Sequence, residues 1–374
     1  MSLLVIAANS ARLLAELAHA EGHQVIALDL FGDADTRRAS MDWQRIGAPH
    51  SLRIDGERTL AALQRAAEEG ALGWIPGSGF EGRPELLEQG AQLLPLIGSE
   101  ALPVRRVRDP RFFFAKLDSL GVAYPLTRLA PPEQPLGWLL KDAEGTGGWH
   151  IRHAEAVAPQ AVAASHYFQR EAAGVPMSTT FLANGSGVIV LGHNRLIVRA
   201  FGGRPHVYCG AIGPVPVSGA VARELGRIVH ALAAEFGLRG LCSLDFLLDD
   251  DRVAVLEVNP RPPASLALYR HRLPLIAAQL RACLAGELPA TLAESRGLRA
   301  HRIVYARRPL ALGEAAAARL KAEPDVHDQP CAGARFEAGD PVFSLSAAGD
   351  DADALIEQLK RRRDALLTSL ETNP

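Results

Sequence analysis

Around residue 257 the chain reads Leu-Glu-Val-Asn-Pro-Arg-Pro-Pro, which sets a carboxylate, a carboxamide and a guanidinium at alternate positions after an apolar run. Glu257, Asn259 and Arg261 therefore share one face of an extended segment. Just upstream, "LCSLDFLL" is a second acidic strand, and the "DDDR" between them reads as a hairpin loop. With that loop over Asp250 to Arg252, Asp245 falls directly opposite Glu257. Opposed side chains in an antiparallel pair have Cβ atoms about 4.5–5.5 Å apart, and like charges placed so are destabilising unless something offsets them. A divalent cation is the natural offset. An Asp, a Glu and an Asn carbonyl are hard oxygen donors, which suit magnesium and the phosphates that accompany it. The plain alternative is a hairpin with an acidic wet face. Pro260, Pro262 and Pro263 weigh against it, because proline ends the ladder where these polar groups cluster.

A second segment points the same way. In "WLLKDAEGTGGWHI", Lys141 ends an apolar strand and is followed by Gly145, Thr146, Gly147 and Gly148. Glycines without Cβ let backbone N–H groups close over phosphate oxygens, and an ammonium adds a point charge beside them. Taken alone, such a tetrapeptide is equally a flexible turn. Two other nucleotide signatures are missing. No G-x-x-x-x-G-K-[ST] occurs, and the first strand, "SLLVIAA", is followed by no G-x-G-x-x-G, so a P-loop enzyme and a dinucleotide-dependent dehydrogenase are poor readings.

The order of these segments resembles that of the ATP-grasp superfamily, which includes biotin carboxylase and many carboxylate-amine ligases. The family's pattern is an acid, a hairpin of about a dozen residues, then Glu-x-Asn-x-Arg, and Asp245, Glu257, Asn259 and Arg261 match it. The first acid is Asp in place of the commoner Glu, a shorter side chain that would shift or weaken one metal contact. "RFFFAKLDSLGVAYPLT" supplies Lys116 as the first nucleotide lysine, and "YFQREAAGVPMSTTFLANG" resembles the hinge between the two ATP-binding lobes. The resemblance implies ATP and one or two Mg²⁺ ions as cofactors. Lys116 and Lys141 would hold phosphates under the flap of Gly145, Thr146, Gly147 and Gly148. The backbone of Gln169, Arg170, Glu171 and Ala172 would meet the adenine, with Glu171 near the ribose. Asp245, Glu257 and Asn259 would hold metal, and Arg261 would stabilise the transferring group. Between hinge and hairpin, Arg199, Arg204, His206 and Tyr208 add polar groups, and Arg199 or Arg204 is a candidate for an anionic substrate.

The chemistry implied by the resemblance is two-step ligation: a carboxylate attacks the γ-phosphoryl group of ATP, and an amine attacks the acyl phosphate. Within the superfamily the layout is most similar to predicted ATP-dependent carboligases of methylotrophs and methanogens, found beside methanopterin and methanofuran-type one-carbon cofactor pathways. That similarity suggests glutamate or another amino acid joined to an amine precursor. Two other readings stay open. One is a bicarbonate-activating carboxylase of the biotin carboxylase type, although no Met-Lys-Met biotinylation site occurs. The other is a nucleotide-binding module without turnover.

These residues need a scaffold. Over the first hundred residues strands and helices alternate: a strand at Leu3 to Ala8, a helix near Ala11 to Ala20, a strand at Gln24 to Leu28, a helix near Thr59 to Glu69, "ALGWIP", and a helix near Pro84 to Leu94. Such alternation predicts a parallel sheet covered on both faces, and by resemblance a preATP-grasp domain. Its "PGSGFEGRP" loop follows a strand, where open α/β sheets present ligand groups, so Ser78 and Glu81 are candidates to touch the acceptor; a bare turn is the competing reading. Residues 101–295 would be the ATP-grasp domain, with its hinge near 169–172, and Leu275 to Ala285 would be a helix behind the hairpin. Residues 296–374 read as a small α+β subdomain closed by the amphipathic "DADALIEQLKRRRDALLTSL". The expected class is therefore α/β: an ATP-grasp fold between an N-terminal parallel-sheet domain and a C-terminal α+β subdomain.

Composition excludes other classes. The 374 residues, 48% hydrophobic and 22% charged, fit two or three ordinary globular domains. A net charge of −2 offers no electrostatic case for nucleic acid or anionic membrane, and no apolar run is long enough to span a bilayer. Cys209, Cys242, Cys283 and Cys331 lack metal-ligand spacing and fit thiols of a reducing compartment. The expectation is a cytoplasmic enzyme of small-molecule carboxylate and amine substrates, with a homodimer as the default state.

Overall fold

The computed structural model describes residues 2–158 and 161–372. Its N-terminal sheet has four parallel strands in the spatial order Asp42–Arg45, Gln24–Asp29, Leu3–Ala7, Gly73–Pro76. Strands buried on both faces read as unbroken apolar runs, and Leu4, Val5, Ile6, Ala7 and Val25 to Leu28 are all buried. Helices Arg12–Ala20 on one face and Gly56–Glu68 on the other complete the layers. The turns at the C-terminal ends of these strands, at Ala8 to Ser10, Leu30 to Asp33 and Gly77 to Gly79, line one cavity through Asn9, Ser10, Phe31, Asp33, Gly77 and Ser78.

Beyond this sheet lie a small antiparallel sheet, ordered Thr127–Arg128, His166–Arg170, Trp138–Asp142, Arg152–His153, and an eight-stranded antiparallel one. The large sheet begins with the hairpin Arg239–Asp249 and Arg252–Asn259 and continues through Val175–Asn184, Val188–Phe201 and Arg204–Gly213. Strands Leu298–Tyr305, Pro341–Gly349 and Val326–His327 of the C-terminal segment then extend it without a break. That segment has its own core, in which Leu355, Leu359, Leu367 and Leu370 of the closing helix Ala352–Thr372 pack on Phe343 and Leu345.

The hairpin is fixed by its back. Helix Gly219–Phe236 starts where Ser218 accepts from the Val221 N–H at 3.2 Å and stops at Gly237, whose φ of 67° suits a residue without Cβ. Its buried stripe of Leu225, Ile228, Val229 and Leu232 packs with Leu244, Phe246, Val253, Val255 and Val258. Each such side chain contributes about 1.5–3 kcal/mol by leaving water. Because side chains alternate along a strand, turning Leu244 and Phe246 to the helix turns Ser243 and Asp245 to the cavity.

Candidate active site

Asp245 and Glu257 are register partners, though not through the three-residue loop that the sequence suggests. Asp249 pairs with Arg252, leaving a two-residue turn with Asp250 at φ 52°. A bulge between Asp245 and Phe246 then inserts Leu256 and restores the opposition of the two acids. Bulges re-aim side chains where a ladder must serve a site. Burial first, and the neighbouring Glu257 next, push the Asp245 carboxyl up to about 7. Burial works against Glu257 too, but Arg108, His150 and Lys141 outweigh it and hold Glu257 below the usual carboxylate range. Asn259 donates from Nδ2 to Asp245 Oδ2 at 3.2 Å.

Both acids line a cavity of about 490 Å³ that also reaches Lys141, Thr146, Gly147, Gly148, Gln169, Arg170, Glu171, Ala172, Asn259, Arg261 and Ser78. Lys141 is buried and donates to Gln169 Oε1 at 2.6 Å, from adjacent strands of the small sheet. Burial lowers its pKa, while Glu257 and Asp245 oppose that. The glycine flap is seated on the large sheet: Gly147 C=O accepts the Tyr208 N–H at 3.0 Å. At Gly148, with φ 78°, a Cβ would collide with the His206 carbonyl. At the hinge, Leu126 C=O takes the Arg170 N–H and Gly137 C=O takes that of Glu171. Glu171 itself meets His206 Nε2 at 3.3 Å.

Several sequence candidates lie elsewhere. Lys116 does not reach the cavity; its helix Pro110–Ser119 turns it to Glu235 Oε2 at 2.9 Å, an ion pair with the neighbouring helix. Gly145 does not line the cavity, and its carbonyl accepts from Arg108 Nη2 at 2.7 Å. Arg199 is exposed on the interior strand Val188–Phe201, and Arg204 donates to the Trp149 carbonyl at 2.7 Å; neither lines the cavity. Glu81 is buried behind the site, where it accepts from Arg261 Nε at 2.7 Å and from the Gly79 N–H at 2.7 Å. Burial would raise Glu81, yet Arg261 and Arg108 lower it overall. It fixes the guanidinium of Arg261, which also touches Asn259 Oδ1 at 3.3 Å.

Arg108 is the group that sequence reasoning missed. It ends helix Ala101–Arg108 and joins Glu257 Oε2 at 3.0 Å to the carbonyls of Ala143 and Gly145 in the flap. Nothing local separates it from its neighbours in "VRRVRDPR". His150, on the far side of the flap, also borders the cavity, and burial, with Arg108 and Lys141, brings its imidazole down to about 4, so it is neutral near pH 7.

Residues 107–265 match the family model of the ATP-grasp domain. The chain has an ATP-grasp fold. No curated protein sequence matches it. Among solved structures it is similar to a Campylobacter jejuni biotin carboxylase in complex with β-γ-ATP, with a TM-score of 0.76 at 16% identity over 100% of this chain and 95% of that one. The biotin carboxylase domain of Hydrogenobacter thermophilus 2-oxoglutarate carboxylase, a dimer with MgADP, ADP and bicarbonate, gives 0.72 at 15% identity over 96% and 89%. N5-carboxyaminoimidazole synthase of Aspergillus clavatus, with ADP and 5-aminoimidazole ribonucleotide, gives 0.70 at 14% over 98% and 99%. No helix among the described residues is long and apolar enough to cross a membrane. The residues present fit the groups that such a fold implies. The opposed carboxylates leave one proton held up to about 7, as an acid pair lacking a counter-ion would, and Gly147 and Gly148 line the same cavity as the Lys141 ammonium.

Proposed function

We propose that the protein is an ATP-dependent ligase that activates a carboxylate as an acyl phosphate and passes the acyl group to an amine, releasing ADP and phosphate. The observation that carries this reading is the half-buried, opposed Asp245–Glu257 pair at one end of a cavity that also holds Lys141, the flap and Arg261. Phosphoryl transfer asks mainly for positioning and charge neutralisation, and this end of the cavity supplies both. Asp245, Glu257 and Asn259 would hold magnesium, which would neutralise phosphate charge. Lys141 adds a cation beside the phosphates, the flap excludes water, and the hinge backbone of Gln169 to Ala172 would meet the nucleotide base. Arg261, held by Glu81, neutralises the acyl phosphate as it forms. Arg108 acts behind them, tying flap to metal carboxylate.

Resemblance to the one-carbon-cofactor carboligases favours glutamate, or another amino acid, with a methanofuran-type amine precursor, in a cytoplasmic homodimer. The second reading is a bicarbonate-activating carboxylase, favoured by the similarity in fold to biotin carboxylases over the whole chain. ADP release with MgATP, measured over a matrix of carboxylates including glutamate and bicarbonate against amines including tyramine, separates them. A joint requirement for one acid and one amine supports the ligase. Stimulation by bicarbonate alone replaces it with the carboxylase, and ATP binding with no stimulated turnover leaves only a nucleotide-binding module.

A further inference from the structure

The other end of the cavity carries an unusual concentration of acid. Where the C-terminal ends of the parallel strands meet the C-terminal subdomain, Asp29, Asp33, Asp35, Asp328 and Glu16 gather around Arg12. All but one are satisfied. Asp29 accepts from the N–H groups of Ala11, Phe31 and Gly32 and from Trp43 Nε1 at 2.7 Å. Asp35 accepts from the N–H groups of Asp328 and Gln329 at 2.8 and 3.0 Å. Asp328 takes Arg12 in a two-pronged pair at 3.0 and 3.1 Å, and Glu16 takes the remaining Arg12 nitrogen at 3.1 Å.

Asp33 differs. Its residue is only 9% exposed, yet among the described residues its carboxylate makes no hydrogen bond and no ion pair. It precedes helix Ala34–Arg38 without capping it. The side chain borders the cavity beside Asn9, Ser10, Arg12 and Asp328. A buried carboxylate without donors is costly, more so among other acids. The neighbouring cation does not relieve it, because Arg12 is fully engaged. A carboxylate without donors, facing a cavity, asks for a ligand that brings N–H groups and positive charge. Phe31, Leu13 and Phe343 also line this cavity, so the charge sits on an apolar body.

We infer that Asp33 is the recognition carboxylate for a primary ammonium group on an apolar molecule bound at the end of the cavity away from the Asp245–Glu257 pair. Naming that molecule as the second, amine-bearing substrate rests on the ligase reading; the site itself does not. Four carboxylates of the cluster are held by groups of the protein, and Asp33 alone is left for a ligand.

The test measures binding, so that it stands apart from turnover. Thermal stabilisation of the full chain, with MgADP present, is followed against a series of alkyl and arylalkyl primary amines, each paired with the alcohol of the same skeleton. At least one amine should stabilise the wild type where its alcohol does not. Asp33→Asn should weaken that amine about 10- to 100-fold, the loss expected for a hydrogen bond to a charged group, while ADP affinity holds. Asp33→Ser serves if the Asn variant folds poorly. If no amine exceeds its alcohol, or if the difference survives in both variants, the inference is overturned. Amine binding through Asp33 with no ADP release for any acid and amine would sink the ligase reading and leave this site standing.

Discussion

The two acidic ends of the cavity are built by opposite means. At the parallel-sheet end most of the neutralising groups are backbone amides: Asp29 takes those of Ala11, Phe31 and Gly32 and Asp35 those of Asp328 and Gln329, while Arg12 serves Asp328 and Glu16. At the hairpin end the neutralising groups are long side chains brought from afar, Arg108 to Glu257 across 149 positions and Arg261 to Glu81 across 180. Backbone amides are fixed and hold a shape. Guanidinium and ammonium groups on flexible stems can give up a partner when a ligand arrives. The difference separates acids held by fixed amides from acids whose partners a ligand can displace.

The largest effect should come from the hairpin. Glu257→Ala is expected to lower turnover by at least 10²-fold, the scale of losing a preorganised electrostatic group, with the protein still folded by circular dichroism. An active variant would erase the contrast. Its counterpart is Asp29→Ala, which orphans four donors around a fully buried carboxylate. A stability loss on the order of 3 kcal/mol in urea unfolding is expected, with turnover per folded molecule near wild type; a selective loss of turnover would put Asp29 in the chemistry.

A third measurement uses pH. Since Asp245 is pushed up to about 7, the folded protein keeps a proton that the unfolded chain releases near pH 4. This group therefore costs stability progressively as pH rises from about 4 to about 7. Magnesium competes with that proton, so its stabilisation of the ADP-bound protein should be larger at pH 8 than at pH 5.5. A magnesium effect on Tm that ignores pH would separate the ion from Asp245. Next in size is Gly148→Ala, which sets a Cβ against the His206 carbonyl at positive φ. Strain of about 1–3 kcal/mol should appear as a KM for ATP raised about tenfold, and an unchanged KM would mean that the flap does not need its seat. Smallest is Lys116→Ala. A partly exposed pair with Glu235 contributes about 0–1 kcal/mol, so ATP affinity should stay within about twofold; a tenfold loss would show that the side chain swings into the cavity.

The alternation around Glu257 and Asn259 made the hairpin legible, because a period of two assigns faces before any partner is known. The βα alternation of the first hundred residues gave the parallel sheet in the same way, with strand limits within a residue at Leu3–Ala7 and Gln24–Asp29. What local pattern does not encode is which charge meets which. Arg108 is one of four arginines within seven residues, and only the docking of its helix beside the flap selects it. Lys116 shows the converse, since a helix has several faces and spacing alone does not say which looks inward. Asp33 escaped notice because its isolation is defined by the partners of its neighbours. The extension of the large sheet into the C-terminal segment was equally silent, as "HRIVYARRPL" reads as a strand but names no neighbour.

That continuous sheet meets both ends of the cavity in one residue. Tyr208 gives its amide N–H to the flap at Gly147, takes the Tyr305 hydroxyl on its carbonyl at 2.8 Å, and sets its own hydroxyl against His301 at 2.8 Å. Lifting the flap would strip a hydrogen bond from the Tyr208 peptide, whose side chain lines the same cavity. The flap is thus tied through the single residue Tyr208 to Tyr305 and His301 of the C-terminal strand Leu298–Tyr305.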